Sequence, residues 1–296
     1  MNTLSSDVLL HDCFDGVLLG TLADHRPDQP GTVHRLTDGD QTFDVVIPNA
    51  DLAHRLLSKP LLVHRFQLVD LEHSGEASSP AVVTDAWAND HGASLWYLPA
   101  NYCPARGVLS AALGLVDGID AMPLRDMVRR VFQDRTVTAR FWTMPASGHH
   151  HHAEPGGLAR HSLEVARDLS QQACLDPTGR DLLVAAGLLH DIGKVWAYLP
   201  DMKLNDAGRA MGHELIAVAK LEPELRALES QWPDGAYVMR VLLSGTARPR
   251  LDGSMPSSLL ARLRAADQYS CELDRGQRPA KQWTPSAWQP AAAPPA

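Results

Sequence analysis

The spacing of apolar residues changes part-way along the chain. Between residues 12 and 100 they come in short continuous or alternating runs separated by Gly, Pro, Asp and Ser: Gly16–Leu22, Thr32–Leu36, Thr42–Ile47, Leu61–Leu71, Ala81–Trp87 and Leu95–Leu98. Such runs predict strands. Thr37-Asp38-Gly39-Asp40 lies between two of them and predicts a hairpin turn, because glycine accepts the positive φ that the turn requires. Asn49–Leu57 breaks the pattern by placing Leu52, Leu56 and Leu57 on one helical face, with Asn49 positioned to cap it. From Val108 to about Leu273 the apolar residues recur at helical spacing. Within that stretch Asp181–Leu189 is almost continuously apolar, which predicts a helix buried on all sides.

Three strands, a helix, then two or three more strands is the order of an OB barrel, whose helix falls between its third and fourth strands. The fold class expected is therefore α+β and multidomain. An OB-like β domain would occupy residues 1–100, and a linker (Asn101–Gly107) with leading helices would occupy 101–142. An all-helical domain would follow over 143–275. Residues 276–296 turn to Pro, Ala, Gln and Trp, a composition that cannot form a packed core and predicts a disordered tail. No internal repeat is visible.

Composition narrows the class further. The chain has 296 residues, 45% of them hydrophobic, enough for a substantial core and consistent with two domains. There is no uninterrupted apolar run of about 18 residues, so no membrane span is expected. The N-terminus lacks the basic and then apolar pattern of a secretory leader. Cys13, Cys103, Cys174 and Cys271 are dispersed without a CxxC pair, which fits ordinary thiols in a reducing cytoplasm. A net charge of −8 argues against a protein that wraps polyanions by bulk charge. A bound cation would offset that charge locally, so nucleic acid stays open as a substrate.

The chemistry is carried by three helical segments. His161 shares a helix face with Leu158, Val165 and Leu169. Taken alone, a histidine on an apolar face is more often a hydrogen-bonded core residue than a ligand. The next segment changes the balance, because the apolar helix ends in His190-Asp191-Ile192-Gly193-Lys194. An imidazole and a carboxylate brought together in a low-dielectric setting call for a partner, and a divalent cation serves both. In Ser257–Cys271, Asp267 falls on the face of Leu260 and Leu263 and is expected to point inward with them. Three metal-competent groups on three helices point to a shared ion.

His161, His190-Asp191 and the distal Asp267 resemble the metal-ligand set of the HD phosphohydrolase superfamily. The likeness extends to Pro145-Ala146-Ser147, His149–His152, Gly156-Gly157-Leu158, His161-Ser162-Leu163-Glu164-Val165 and Met211-Gly212-His213. Two branches share these strings: the YhaM-type 3′–5′ exoribonucleases, which place an OB domain before the HD domain, and the TraI-like MobH relaxases. The resemblance implies that His161, His190, Asp191 and Asp267 are metal ligands, and that residues 143–275 are the HD domain. It implies that Asp191 also orients the attacking water, and that Lys194 contacts a substrate phosphate. His151, His152 and His213 would serve a second metal or the phosphate, with His151 and His152 lining the site. Arg248 and Arg250, with Arg262 and Arg264 nearby, are candidate phosphate contacts. One departure stands out: the exoribonuclease branch has a Ser-His-His-Gly motif where this chain reads Leu243-Ser244-Gly245-Thr246-Ala247.

The function implied is metal-dependent phosphodiester hydrolysis, with one or two divalent ions (Mn²⁺, Mg²⁺, Fe²⁺ or Zn²⁺) and single-stranded RNA or DNA as substrate. Phe43, Phe66, Trp87 and Trp96 are candidate stacking residues for such a strand. No membrane partner is expected. Two alternatives remain: a relaxase-like DNA-nicking protein, and a non-catalytic nucleic-acid-binding module pinned by metal.

Overall fold

A computed structural model describes residues 11–21, 32–58, 60–69, 80–89, 94–172, 175–246 and 256–276. The expected tail beyond Gly276, together with Arg248, Arg250 and Cys174, lies outside the described residues.

The N-terminal part is a five-stranded sheet: β1 (His11–Thr21), β2 (Val33–Thr37), β3 (Thr42–Val46), β4 (Val63–Val69) and β5 (Ala81–Ala88). The strands run in the order β1-β2-β3-β5-β4 and close into a barrel. Closure depends on the 11-residue β1, which pairs with β4 along His11–Val17 and with β2 from Val17 to Thr21. A register shift between Leu18 and Gly20 bends the strand from one partner toward the other. All pairings are antiparallel except β3 with β5, a parallel contact that the chain reaches by passing through α1 (Ala50–Leu57) and β4. Strand alternation sends Leu18, Leu36, Val45, Phe66 and Val83 into one apolar cluster, to which α1 adds Leu52, Ala53 and Leu56. The Asn49 side chain caps α1 by accepting the backbone N–H groups of Asp51 and Leu52.

One predicted strand is not a strand. Ser94–Tyr97 is a single 3₁₀ turn, with Leu95 and Leu98 buried against the helices. Those two leucines are three residues apart, a spacing that puts them on the same side of a turn but on opposite faces of a strand. The stacking candidates separate as well. Phe66 is wholly buried in the barrel, and Phe43 packs edge-on against Phe14 at 4.8 Å. Trp87 and Trp96 stay exposed, and the Trp96 indole donates to Asp117.

The remaining elements are helical: α2 (Val108–Asp117), α3 (Met122–Gln133), α4 (Arg135–Phe141), α5 (Gly157–Ser170), α6 (Pro177–Leu189), α7 (Lys194–Ala197), α8 (Asp206–Glu229), α9 (Pro233–Ser244) and α10 (Pro256–Gly276). Every residue of α6 from Asp181 to Leu189 is buried, and α2, α3, α5, α9 and α10 pack around it. Asp181 tolerates burial because its carboxylate accepts the Ala121 N–H at 2.9 Å, at the start of α3. Among the described residues no helix is long and apolar enough to cross a membrane.

The barrel and the helices share apolar surface. Val17, Leu61 and Val63 belong to the same buried cluster as α2, α3, α5 and α6. The stretch expected as a linker carries the buried Cys103 and leads directly into α2. Arg135 adds polar bonds across the seam, donating to the carbonyls of Leu18 at 2.7 Å and Leu56 at 2.8 Å. Burial pushes its guanidinium pKa down to about 10. Replacing Arg135 with Ala strands both carbonyls and should lower unfolding stability by about 2–4 kcal/mol. Urea titration of the two proteins measures this, and a loss below about 0.5 kcal/mol would mean that apolar contact alone holds the barrel in place.

Candidate metal centre

The site forms where three helices bring side chains to one point. His161 lies on the buried face of α5, His190 caps the end of α6, Asp191 follows it, and Asp267 comes from α10. The Nε2 atoms of His161 and His190 are 3.2 Å apart. Asp267 Oδ1 lies 3.1 Å from His161 Nε2 and 3.8 Å from His190 Nε2, and Asp191 Oδ2 lies 3.6 Å from each. Asp267 points into the site and lines the cleft with Leu260 and Leu263, but it is not buried as they are. It sits at the edge of the site with 42% of its side chain exposed, because Leu263, Ala266 and Ser270 take the buried face of α10.

Hydrogen bonds behind the imidazoles determine which nitrogen faces the site. His190 Nδ1 lies 2.9 Å from the Gly187 carbonyl, which can only accept, so Nδ1 carries the proton. Ser270 donates its hydroxyl proton to Glu164 at 2.8 Å, leaving its oxygen to accept from His161 Nδ1 at 3.1 Å. In the neutral rings, both Nε2 atoms therefore turn bare lone pairs toward each other and toward two carboxylates. That arrangement needs a cation or a proton at its centre, so the residues fit a divalent ion.

The titration shifts follow from the same geometry. Burial opposes charge on His190, but the nearby Asp191 and Asp267 outweigh it and raise its pKa. Burial keeps the pKa of His161 low. The burial of Asp191 would favour its neutral form, yet Lys194, His190 and His213 hold its carboxyl well below the usual range. Asp267 is also held low against burial, by its hydrogen bonds to His161 and His190.

Lys194 and His213 divide the two oxygens of Asp191. Lys194 Nζ donates to Oδ2 at 2.6 Å and to the Ala146 carbonyl at 3.0 Å, while His213 Nε2 lies 2.9 Å from Oδ1. Lys194 is buried. His213 reaches the site because Gly212, at φ 76°, breaks α8 and redirects the chain just before it. Gly193 makes room for that approach, since a Cβ there would lie 1.8 Å from the His213 carbonyl oxygen.

These groups line an open cleft of about 320 Å³, together with His151, Glu214, Arg264 and Cys271. Burial is the main reason the His151 pKa falls to about 4, and its Nδ1 has no partner. His152, expected to line the site, does not. It is fully buried behind His161 at φ 44°, with its ring bonded to Glu164 at 2.9 Å and its N–H to Asp274 at 2.9 Å. His149 and His150 are exposed. Of the two helical arginines, Arg264 reaches the cleft and donates to the Gly245 carbonyl, whereas Arg262 is bonded to Gln172 at 2.9 Å.

Sequence reasoning missed two groups. Cys271 lies one turn beyond Asp267, with Sγ 3.8 Å from its Oδ1, and burial followed by Asp267 pushes its thiol up to about 12. Glu164, Ser270 and Asp274 form the support behind His161. The i, i+4 spacing of 267 with 271 and of 270 with 274 was the available signal.

A model of the HD domain family matches residues 158–271, which include all four converging residues. The chain carries an HD domain. A second family model, TraI_2 ("Putative helicase"), matches residues 118–178. The 3′–5′ exoribonuclease YhaM of Listeria innocua is 33% identical over 107 residues, covering 35% of this chain and 34% of that protein. Its counterpart from Listeria monocytogenes serotype 4b is 32% identical over the same length and shares. The match thus spans about a third of these curated relatives. No solved structure gives a significant match.

The HD domain's buried Asp191–Lys194 pair gives a direct test. Lys194→Met leaves a buried carboxylate short of its closest cation, and in chelator should lower stability by about 3–5 kcal/mol. Excess Mn²⁺ should recover part of the loss. Denaturant titrations with and without Mn²⁺ read both numbers, and an unchanged midpoint in chelator would refute the pairing.

Proposed function

We propose that the chain is a metal-dependent phosphodiesterase acting on single-stranded nucleic acid in the cytoplasm, with an OB-like barrel over residues 1–100 and an HD catalytic domain over 143–275. The observation that carries this reading is the pair of bare Nε2 atoms facing two carboxylates at the floor of an open cleft, beside Lys194 and Arg264. His161, His190, Asp191 and Asp267 would hold the ion. A bound divalent metal lowers the pKa of a coordinated water and polarises a phosphoryl oxygen.

The chain's own residues supply the rest. Asp191 orients the attacking water, and His213 donates its Nε2–H to Asp191 Oδ1, which helps to keep that carboxylate ionised and fixed in orientation. The Lys194 ammonium offsets negative charge that develops on the phosphoryl group. Arg264 at the cleft wall offers a planar donor to a phosphate of the bound strand. Exposed Trp87 on β5 presents an aromatic face for base stacking. The strand order β1-β2-β3-β5-β4 with its parallel β3–β5 contact supports the OB-like assignment.

Two other readings each rest on one observation. The second family match, over 118–178, is to TraI_2, a name that agrees with the TraI-like branch of the resemblance and so favours the relaxase-type reading. Gly245, standing where the exoribonuclease branch has histidine, favours a binding module that keeps metal for structure. Asp191→Asn, which keeps an oxygen for Lys194 while removing the charge, should reduce Mn²⁺-dependent cleavage of single-stranded RNA by at least about 100-fold with the metal-free fold retained. Gly245→His should raise Mn²⁺ affinity or rate, less a cost of about 1 kcal/mol because Gly245 sits at φ 63°. Cleavage of supercoiled plasmid but not RNA would favour the relaxase reading. Metal stabilisation with no cleavage by any variant would favour the binding module.

A further inference from the structure

Beside the two histidines and two carboxylates the cleft contains a softer pair of donors. Cys271 and His151 each present a ligand atom that lies, with one from His161, within 4.8 Å of the others. Both line the same cleft as His190, Asp191 and Asp267. His151 comes from the loop before α5, held in place by Ser147, whose hydroxyl accepts the His151 N–H at 3.0 Å and donates to its carbonyl at 2.7 Å. Its Nδ1 is shielded from solvent without a partner. Cys271 is half-buried, and its Sγ lies 3.8 Å from Asp267 Oδ1.

One imidazole nitrogen serves one ion, and His161 Nδ1 is occupied by Ser270, so His161 has a single nitrogen to offer. The two groups that share His161 are therefore better served by one ion than by two. Donors bonded tetrahedrally to one ion at roughly 2.0–2.3 Å lie about 3.5 Å apart, so ligand atoms as much as 4.8 Å apart must close by up to about an ångström when the ion binds.

The geometry points to Cys271 as a thiolate ligand, with His151 beside it, at the HD metal site. This rests on the metal-binding reading above and makes it more specific. A thiolate among imidazoles biases the site toward Zn²⁺, Fe²⁺ or Co²⁺ and away from Mg²⁺, which prefers oxygen donors. Coordination releases the thiol proton to solvent. The chain then has a donor on α10, while the position at Gly245 on α9 has no ligating side chain.

The test is cobalt substitution of the full-length protein. The chelator-treated chain, titrated with Co²⁺, should show a near-ultraviolet thiolate-to-cobalt charge-transfer band at saturation. Cys271→Ser, with the other three cysteines in place, should lose the band. It should also weaken Co²⁺ and Zn²⁺ binding by at least the roughly 10–100-fold typical of losing a supporting group, with a smaller effect on Mn²⁺. His151→Ala should keep the band and bind Co²⁺ more weakly. Wild-type protein that binds stoichiometric Co²⁺ without the band, or Cys271→Ser protein that retains it, overturns the thiolate assignment and leaves the metal reading standing. Failure of wild-type protein to bind Co²⁺, Zn²⁺ or Mn²⁺ overturns both.

Discussion

A carboxylate at the end of an apolar helix stays charged only if cations and donors surround it, and this requirement organises the centre of the molecule. Asp191 follows a helix with every residue from Asp181 to Leu189 buried and is itself largely buried at the cleft, so bulk water alone solvates it poorly. Lys194 comes from the next turn, His213 from beyond a break in α8, and His161 and His190 flank it. Each partner belongs to a different stretch of chain, so satisfying one carboxylate ties α5, α6, α7 and α8 together. Removing a partner from such a group exposes the remaining charge to a low-dielectric interior, which costs more than the partner contributes by itself.

The imidazoles are held with comparable care. The chain from His161 through Ser270 to Glu164 ends on the His152 ring, while the His152 N–H meets Asp274, itself paired with Arg160 at 2.7 Å. This line of hydrogen bonds fixes the tautomer and tilt of His161. It also gives His152 a purpose away from the cleft: its positive φ is a strained conformation held by the hydrogen bonds around it. The four consecutive histidines thus divide into two exposed residues, one at the cleft and one in support.

The barrel is joined to this framework by shared apolar surface and by Arg135. Val17, Leu61 and Val63 face the helices while Leu18, Phe66 and Val83 face the barrel interior, so strand alternation serves two cores at once.

Much of this was legible without coordinates, because it depends on local periodicity and residue chemistry. The alternating runs at 32–36, 42–47 and 81–87, the cap at Asn49 and the all-apolar stretch into His190-Asp191 each dictate an element through contacts within a few residues. What remained illegible depends on distant partners. Leu95–Leu98 reads as a strand until the helices that bury its two leucines are in place. Asp267 reads as buried until Leu263, Ala266 and Ser270 are seen to take the inner face of α10. His152 and His151 are adjacent in sequence, yet only Glu164 and Asp274, brought up by other helices, turn one ring inward and leave the other at the cleft. Cys271 looks like an ordinary thiol until α10 packs against α5 and places its sulfur near His161. The sequence determined which groups carry the chemistry; tertiary packing decided which of them meet, because the partners that orient each side chain lie up to more than a hundred residues away.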